Sequence, residues 1–499
     1  MKYTNLFTVV VILLVLAGGL GQSAGAENGA DEIKIGLVAP LTGGASTTGN
    51  DMWQSAVLAA DEINAAGGVN VNGVNMQITL VKGDTATSTE AGVKAVTKLI
   101  TEDKVDILVG GFSSGITYAD SVVAAEHKVP FIITGASSPT ITRRTDIDTT
   151  YFFHFIATTS DYSESNLLFV NEVVKPAIYE RFNFPEDRPL RLGVLYQDTA
   201  YGAGVYEGIE RVIEEYDLNM EVVAAEKFKM SEKDFRTILT VIKADNPDVV
   251  FPASFLNEQT LIVAQGRRDV GLNTIYLSVI CNDDPDYYTG VERWGEYSIQ
   301  DSIFGPYAIP AGPIHDAVVK FRDDFEAKWG ASPSMMGATT YEGVYIAAEA
   351  VKNAGTLDNE KVRDALDELD MPQDIFAMKG GVISFSPDYR ESKFEPYVQQ
   401  LIWDESVGET RPVIVWPDSV KETDFLLPDW YEPGSAPAET AKPTGTPAPT
   451  AAGTSGAAPT PAAAAPTAAA EVPEEPGFGA GFALAGLLAV AYLVLRKQK

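Results

Sequence analysis

Serine hydroxyls and free backbone amides cluster in two short loops of this chain. The first loop carries Ser113 and Ser114, and the second carries Ala136, Ser137 and Ser138. These residues have neither charge nor bulk, so they can hold a small anionic group such as a carboxylate through neutral donors at the start of a helix. The two loops therefore predict an anion-binding site.

A second interpretation of the first loop is catalytic. Residues 111–115 read Gly-Phe-Ser-Ser-Gly and match GxSxG, the pattern of a hydrolase nucleophile between a strand and a helix. A serine nucleophile also needs a histidine base. His127 closes the helix that begins at this loop and is too far along it to reach Ser113, whereas His154 and His315 lie in no motif that marks a base. Binding is favoured, and a hydrolase that uses Ser113 is the alternative.

Buried strands must position both loops. Residues 107–109 and 131–133 are short apolar runs bounded by Gly and Pro, and residues 118–126 between them have the pattern of an amphipathic helix. This order is a βαβ unit, which places both loops at the carboxyl ends of parallel strands. Ligands bind at that edge in open α/β sheets.

Strand and helix patterns alternate along most of the chain. Strands at 32–39 and 76–82 alternate with helices at 51–65 and 90–102, and a second alternation follows Tyr151. Two α/β units with parallel, doubly wound sheets are expected. Past residue 302 the chain revisits both units, and the patterns there predict helices at 314–329, 340–354 and 359–369 and strands at 381–385, 398–403 and 413–415.

Composition excludes several classes of function. A net charge of -32 and a pI near 4.4 argue against nucleic-acid binding, which needs a basic face. Cys281 is the only cysteine, so the chain has no internal disulfide and no cysteine-based metal cluster. With three histidines, a zinc site is not expected either. We expect no cofactor and no metal.

The two ends of the chain predict export and anchoring. Residues 1–26 have a basic start, an apolar run and the small-residue sequence Ala24-Gly25-Ala26, which is typical of a signal peptide. Residues 432–475 are a Pro/Ala/Thr-rich linker. The apolar run 478–495 is long enough to cross a bilayer, and the basic residues after it place the C-terminus in the cytoplasm.

Residues 476–499 resemble the PGF-type C-terminal sorting signal of archaeal surface proteins, because Pro476-Gly477-Phe478 precedes the apolar helix and the basic end. In that family the helix is removed and replaced by a lipid. A retained transmembrane helix is the alternative. Both outcomes place the globular part at the outer face of the cell membrane.

Four stretches together resemble the solute-binding proteins of ABC transporters for branched-chain amino acids. They are IKIGLVAPLTG with ADEINAAGGV after it, the sequence Asp84-Thr85-Ala86-Thr87 with the next helix, VGGFSSGIT with ITGASSP, and Tyr201-Gly202. The resemblance implies the periplasmic binding protein type I fold, with two Rossmann-like lobes joined by a three-strand hinge and a ligand in the cleft between them.

The resemblance also implies lobe limits. Lobe 1 comprises 27–154 and 306–366, and lobe 2 comprises 155–305 and 367–431. The expected partners are a small-molecule ligand, an ABC permease in the membrane and the membrane itself at the C-terminal anchor.

Site residues follow from the same resemblance. The ligand α-carboxylate is expected on the two serine loops, aromatic walls on lobe 2, and an acidic partner for the ligand ammonium after the strand that ends near Val279. The residues implied are Ser113, Ser114, Ala136 and Ser137 for the carboxylate, Tyr201 and Phe255 for the walls, and Asp283 for the ammonium, with Asn282 and Asp284 as alternates.

Departures from the family pattern leave the ligand open. Thr48 stands where the family commonly has an aromatic residue, so one cleft wall is smaller or is supplied by Trp53. A leucine-like amino acid, another amino acid, or an amide or urea-type solute all fit. The function expected is binding and delivery to a permease, and a surface sensor of the same fold is the alternative.

Overall fold

The first sheet carries the two serine loops. The computed structural model describes residues 32–279 and 283–433. Six strands form this sheet in the order β2-β3-β1-β4-β5-β6. They are β1 (Glu32–Ala39), β2 (Val69–Val71), β3 (Val74–Asp84), β4 (Ile107–Gly110), β5 (Phe131–Ile133) and β6 (Phe152–His154). All neighbours are parallel except β2 and β3, which pair antiparallel. We call this sheet with its helices lobe 1.

The second sheet has seven strands in the order β15-β14-β11-β10-β9-β7-β8. Its first five strands along the chain are β7 (Leu190–Gln197), β8 (Met220–Phe228), β9 (Val249–Ala253), β10 (Ile275–Ser278) and β11 (Ile299–Ser302). The next two strands, β12 (Met371–Pro372) and β13 (Val382–Ile383), form a separate antiparallel ribbon. The last two, β14 (Tyr397–Asp404) and β15 (Glu409–Trp416), complete the seven-stranded sheet. We call this sheet with its helices lobe 2.

The prediction of wholly parallel sheets is wrong at the end of lobe 2. Strand β14 runs antiparallel to β11, and β15 runs antiparallel to β14. Only a few residues join β14 to β15, and so short a connection can join only antiparallel strands. Gly408 in this turn has a φ of +73°, a conformation that glycine adopts without strain. Both sheets are therefore mixed.

Thirteen α-helices lie in the described residues. In chain order they are α1 (Ser46–Ala65), α2 (Thr89–Lys98), α3 (Ser114–His127), α4 (Thr140–Arg143), α5 (Thr159–Phe169), α6 (Lys175–Phe182), α7 (Ala200–Glu215), α8 (Arg236–Ala244), α9 (Leu256–Gln265), α10 (Pro285–Gly290), α11 (His315–Trp329), α12 (Met335–Ala354) and α13 (Asn359–Asp367). Single π-turns continue α2, α5 and α9.

Several predicted helix boundaries are wrong. Helix α3 begins at Ser114 rather than at residue 118, and α12 begins at Met335 rather than at residue 340. Helix α6 was not predicted, and the strand expected at 381–385 shrinks to β13. Helix α12 shows no apolar stripe, because it packs between α1 and the sheet and fifteen of its twenty residues are buried.

A glycine at the end of β4 makes the first serine loop possible. Gly110 has a φ of +114°, and a Cβ atom there would lie 2.3 Å from the carbonyl oxygen of Val38 on the neighbouring strand. No larger residue fits that approach. The backbone consequently turns out of the sheet directly before Ser113.

Neither chain terminus lies within the described residues. The predicted signal peptide, the linker after residue 433 and the apolar run 478–495 are all outside them. Within 32–279 and 283–433, no helix has the length and apolar character needed to cross a membrane.

Candidate functional site

The two serine loops lie side by side at the carboxyl ends of β4 and β5. Ser113, Ser114, Ala136 and Ser137 are all buried. The Ser114 Oγ accepts a hydrogen bond from the backbone N–H of Ser138 at 3.1 Å, which ties one loop to the other. Helix α3 begins at Ser114, so the backbone N–H groups of Ser114 and Gly115 and the positive end of the helix dipole lie at this loop. The arrangement can hold an anion.

The first loop has a strained backbone. Ser113 has a φ of +70° and a ψ of 109°, a region that residues with a side chain adopt rarely. Its carbonyl oxygen accepts hydrogen bonds from the N–H groups of Ile116 and Thr117, both at 3.0 Å. Strain of this kind concentrates at ligand sites, where the surrounding structure maintains it.

The second loop is held by the segment that follows β6. The carbonyl oxygen of Ala136 lies 2.5 Å from Nε2 of His154, and that of Ser137 accepts a hydrogen bond from the N–H of Thr159 at 2.9 Å. Burial lowers the pKa of His154. The ring of His154 thus contacts a backbone carbonyl rather than a serine hydroxyl, and His315 is half-exposed at the start of α11. No histidine in the described part of the chain is hydrogen-bonded to Ser113.

Aromatic rings join the two lobes. Phe255 precedes α9 in lobe 2, and its ring centroid lies 5.0 Å from that of Phe112 in lobe 1 and 5.8 Å from that of Tyr201. Tyr201 is buried in the first turn of α7, and its hydroxyl donates a hydrogen bond to the carbonyl oxygen of Val279. Phe112 was not predicted as a site residue, although its position between Gly111 and Ser113 places it in a loop that was predicted to bind the ligand.

The acidic residues after β10 lie in two different environments. The Oδ1 of Asp283 accepts a hydrogen bond from Gln300 at 2.9 Å, and its Oδ2 is buried without a hydrogen-bond partner in the described residues. Asp284 caps α10 and accepts a hydrogen bond from the N–H of Asp286 at 2.9 Å. Burial raises the pKa of Asp283 well above its ordinary value and that of Asp284 to about 6. Asn282, the other alternate, lies outside the described residues.

Sequence reasoning missed a carboxylate that lobe 1 contributes. Asp51, on α1, accepts hydrogen bonds from the N–H of Ser334 at 3.3 Å and from its hydroxyl. Burial, and to a smaller extent the charge of Asp284 in lobe 2, raise the pKa of Asp51 to about 7. Asp51 was interpreted as a helix start, and Ser334 lies before the residue where α12 was expected to begin.

A small cavity lies between these groups. Its volume is about 10 Å³, room for about one water molecule. Asp283 and Asp284 line it from lobe 2, and Thr48 and Ser334 line it from lobe 1 together with the first two residues of α12. We call it the inner cavity. Trp53, the alternative wall residue, is not among its lining residues and instead stacks against the Lys82 ammonium, 4.4 Å from the ring centroid.

Replacing Asp51 with Asn is expected to change how stability depends on pH. The folded state raises the pKa of Asp51 from 3.8 to about 7, so the folded protein binds a proton there that the unfolded chain releases. The contribution of this carboxyl to stability is complete below about pH 4 and declines as the pH rises to about 7. Asn mimics the protonated form, so the variant gains thermal stability relative to wild type across that range.

Thermal unfolding followed by circular dichroism measures this effect. Asp61→Asn is the matched control, because Asp61 is exposed on the same helix and pairs with Lys328 at 2.6 Å. A difference in melting temperature between Asp51→Asn and wild type that stays constant across the range would contradict the expectation.

No group of three or more His, Cys, Asp and Glu side chains in 32–279 and 283–433 is arranged to hold a metal ion. Each carboxylate near the inner cavity accepts a hydrogen bond from a different residue: Asp51 from Ser334, Asp283 from Gln300 and Asp284 from Asp286.

Comparison with known proteins identifies related chains. The family model for periplasmic binding proteins matches residues 32–392, and the PGF-CTERM motif matches residues 475–497. Leu/Ile/Val-binding protein homolog 7 of Brucella abortus is 25% identical over 413 residues, which cover 81% of this chain and 96% of that protein.

Solved structures share the fold. A branched-chain amino acid transporter substrate-binding protein from Streptococcus pneumoniae, in complex with isoleucine, is 24% identical with a TM-score of 0.63 and covers 78% of this chain and 100% of its own. A solute-binding protein of an ABC transporter from Rhodopseudomonas palustris, in complex with 3,4-dihydroxybenzoic acid, is 21% identical with a TM-score of 0.64. The match covers 79% of this chain and 99% of that protein. The architecture is therefore that of a type I periplasmic binding protein.

Proposed function

The chain belongs to the periplasmic binding protein family, and from this premise we propose that it is the extracytoplasmic receptor of an ABC importer that binds an amino acid and delivers it to the permease. Members of this kind are solute-binding proteins and not enzymes, so the GxSxG match is a binding loop. The observation that carries the amino-acid proposal is the pairing of an anion site in lobe 1 with carboxylates in lobe 2.

Each part of an amino acid has a partner in the cleft. The α-carboxylate binds at Ser114, Ala136 and Ser137, where a helix start and a hydroxyl supply donors. Ser113 shapes this loop. The ammonium binds at an acidic residue after β10, where Asp283 was expected and where Asp284 is the residue that interacts with Asp51 across the cleft. Tyr201 and Phe255 form the lobe 2 wall.

Closure of the two lobes transmits occupancy. The ligand stabilises the closed form because it contacts both lobes only there. The lobe limits inferred from the sequence, with crossings after residues 154, 305 and 366, belong to this proposal, and we expect the crossing segments to bend. The closed form then docks on the permease.

The tether is part of the proposal. The motif at residues 475–497 supports anchoring at the outer face of the membrane, by a lipid or by a retained helix. Mass spectrometry of the native protein distinguishes these two forms. The described chain ends in lobe 2, where the N–H of Glu432 donates to the carbonyl oxygen of Asn273 at 3.0 Å, near the start of β10 and away from the cleft edge. The described chain thus ends at the edge of lobe 2 away from the proposed ligand site.

A thermal-shift screen tests the function. The purified protein is titrated with amino acids, amides, urea and aromatic acids, and a ligand at 100 times its dissociation constant adds about 2.7 kcal/mol of stability. Stabilisation by an amino acid supports the proposal. Stabilisation by benzoate-type acids alone would replace it with an aromatic-acid receptor, a role for which the rings of Phe112, Tyr201 and Phe255 are the relevant observation. A permease or a kinase gene beside this one discriminates between import and sensing.

Ser114→Ala is expected to weaken amino-acid binding about 10- to 100-fold. A hydrogen bond to a charged group contributes about 1.5–3 kcal/mol, and the same hydroxyl holds the second loop through Ser138. Isothermal titration calorimetry measures the change. Ser121→Ala is the matched control, because Ser121 is buried further along the same helix with its hydroxyl bonded to the carbonyl oxygen of Tyr118. Equal losses in both variants would mean that Ser114 acts only through stability.

A further inference from the structure

A second cavity adjoins the inner cavity between the lobes. Its volume is about 240 Å³, and Asp284 and Ser334 line both cavities. Helix α1 contributes Asn50, Asp51 and Gln54 to its wall. We call it the outer cavity. Eight of the eleven residues around this cavity have a carboxylate, amide or hydroxyl group, whereas most of the surface that they expose to it is apolar. A long side chain with an apolar stem and a polar end matches this lining.

The carboxylates at the two cavities have no cationic partner among the residues that the structure describes. In 32–279 and 283–433, no Lys, Arg or His side chain forms an ion pair with Asp51, Asp283 or Asp284. Asp283 is 1% exposed and Asp284 is 8% exposed. Removing a carboxylate from water without a counter-charge is unfavourable, and three that converge from both lobes also repel each other when ionised.

An unused hydrogen-bond acceptor gives an independent indication of a ligand. Asp283 lines the inner cavity, and its Oδ2 is buried with no hydrogen-bond partner in the described residues. Buried acceptors of this kind are uncommon in native proteins. Together with the carboxylates of Asp51 and Asp284, this atom leaves acceptors at the cavity that a cationic donor of a ligand can use.

We propose that the amino acid bound here has a cationic side chain, whose terminal group lies between Asp51 and Asp284 in the closed cleft. This inference rests on the proposed function. The α-ammonium uses the carboxylate of Asp283, and the side chain passes Thr48 into the outer cavity. Thr48 lines the inner cavity, and its side chain is smaller than the aromatic residue that the family commonly has at this position. Arginine and lysine have the required chemistry, and leucine does not.

Charge linkage supports this assignment. Without ligand, burial holds the pKa of Asp51 at about 7, so this carboxyl is partly protonated at neutral pH. A cation placed beside it favours the ionised form and displaces the proton. Binding of arginine or lysine should therefore release protons near pH 7. Asp286, exposed beside Asp284, is the other acidic group at the outer cavity.

Isothermal titration calorimetry of the purified full chain tests the proposal. At pH 7 we expect arginine or lysine to bind about 100-fold more tightly than leucine or isoleucine, because pairing at a buried charge supplies this discrimination. Asp51→Asn should weaken binding of the cationic amino acid about 30-fold or more. It retains an acceptor oxygen for Ser334, and circular dichroism confirms folding. Asp61→Asn on the same helix is the control and should bind as wild type.

A second readout does not depend on the variant. Titrations of the wild type in two buffers of different ionisation enthalpy report protons released on binding. Release with arginine or lysine supports the proposal, and absence of release contradicts it.

The possible results separate this inference from the proposed function. Tighter binding of leucine than of arginine and lysine overturns the inference and leaves an amino-acid receptor. Binding of 1,4-diaminobutane as tightly as arginine supports the cation site and overturns the carboxylate site. If neither amino acids nor the diamine bind, both proposals fail.

Discussion

Phe255→Ala should lower the affinity for solute about 100-fold. Phe255 lies at the edge of lobe 2, and its ring contacts Phe112 of lobe 1 as well as Tyr201 of its own lobe. Aromatic pairs contribute about 0.5–1.5 kcal/mol beyond burial, and loss of a buried Phe side chain costs about 3–5 kcal/mol. The contact with Phe112 joins the lobes, so a part of this energy stabilises the closed form alone. A loss of about 2.7 kcal/mol from that form is a 100-fold loss in affinity.

Phe228→Ala provides the matched control for this prediction. Phe228 is buried in lobe 2 and packs edge-on against Phe235 of the same lobe at 5.0 Å, so its removal leaves the contact between lobes intact. Both variants should melt at lower temperature, and calorimetric titration should show weaker binding for Phe255→Ala alone. Unchanged affinity in Phe255→Ala, or an equal loss in Phe228→Ala, would remove the role assigned to the ring bridge.

The two serine loops could be predicted because neighbouring residues in the sequence determine the strands that carry them. Strands β4 and β5 are apolar runs bounded by glycine and proline, and both were predicted almost to the residue. Their carboxyl ends place Ser114 and Ser137 together by the rule for parallel strands. A buried parallel strand can be predicted from its own apolar residues and the residues that flank it, without knowledge of the strands beside it.

The missed parts depend on contacts that are distant in sequence. Asp51 and Ser334 are far apart in the chain and meet only because α12 packs on α1. The first turn of α12 is buried on every side, so it has no polar face and no helical periodicity to mark its start. Strand β14 shows the same limit, because its residue pattern does not encode its direction relative to β11.

The carboxylates of lobe 2 also show why acidic residues near a site differ in role. Asp283 and Asp284 are neighbours in the cleft, whereas Asp248 lies before β9, at the opposite edge of the same sheet. Asp248 is fully buried and bonded by Arg188, with distances of 2.8 and 2.9 Å to the two terminal nitrogens. Its charge is satisfied within the chain, so we expect it to maintain the fold. The cleft carboxylates have no cationic partner in the described part of the chain, and we expect them to interact with the ligand.

Asp248→Ala should reduce the free energy of unfolding by about 3–5 kcal/mol, because removing one partner leaves the guanidinium of Arg188 buried without its counter-charge. The substitution also removes the acceptor for the N–H of Arg191, 2.9 Å away. Urea denaturation measures the loss. Replacing both partners, as Asp248→Leu with Arg188→Met, should recover much of it, since an apolar pair leaves no unpaired charge.

Two further variants test whether Asp248 stabilises the fold rather than binding the ligand. Glu405→Ala breaks the exposed ion pair with Arg293, and its urea midpoint should match wild type because water solvates both charges. Asp284→Asn, at the cleft edge of the same sheet, should change ligand binding with little effect on unfolding. If Asp248→Ala instead unfolds at the wild-type urea concentration, the buried pair with Arg188 does not stabilise lobe 2. The stability of this lobe would then rest on its apolar core rather than on the buried ion pair.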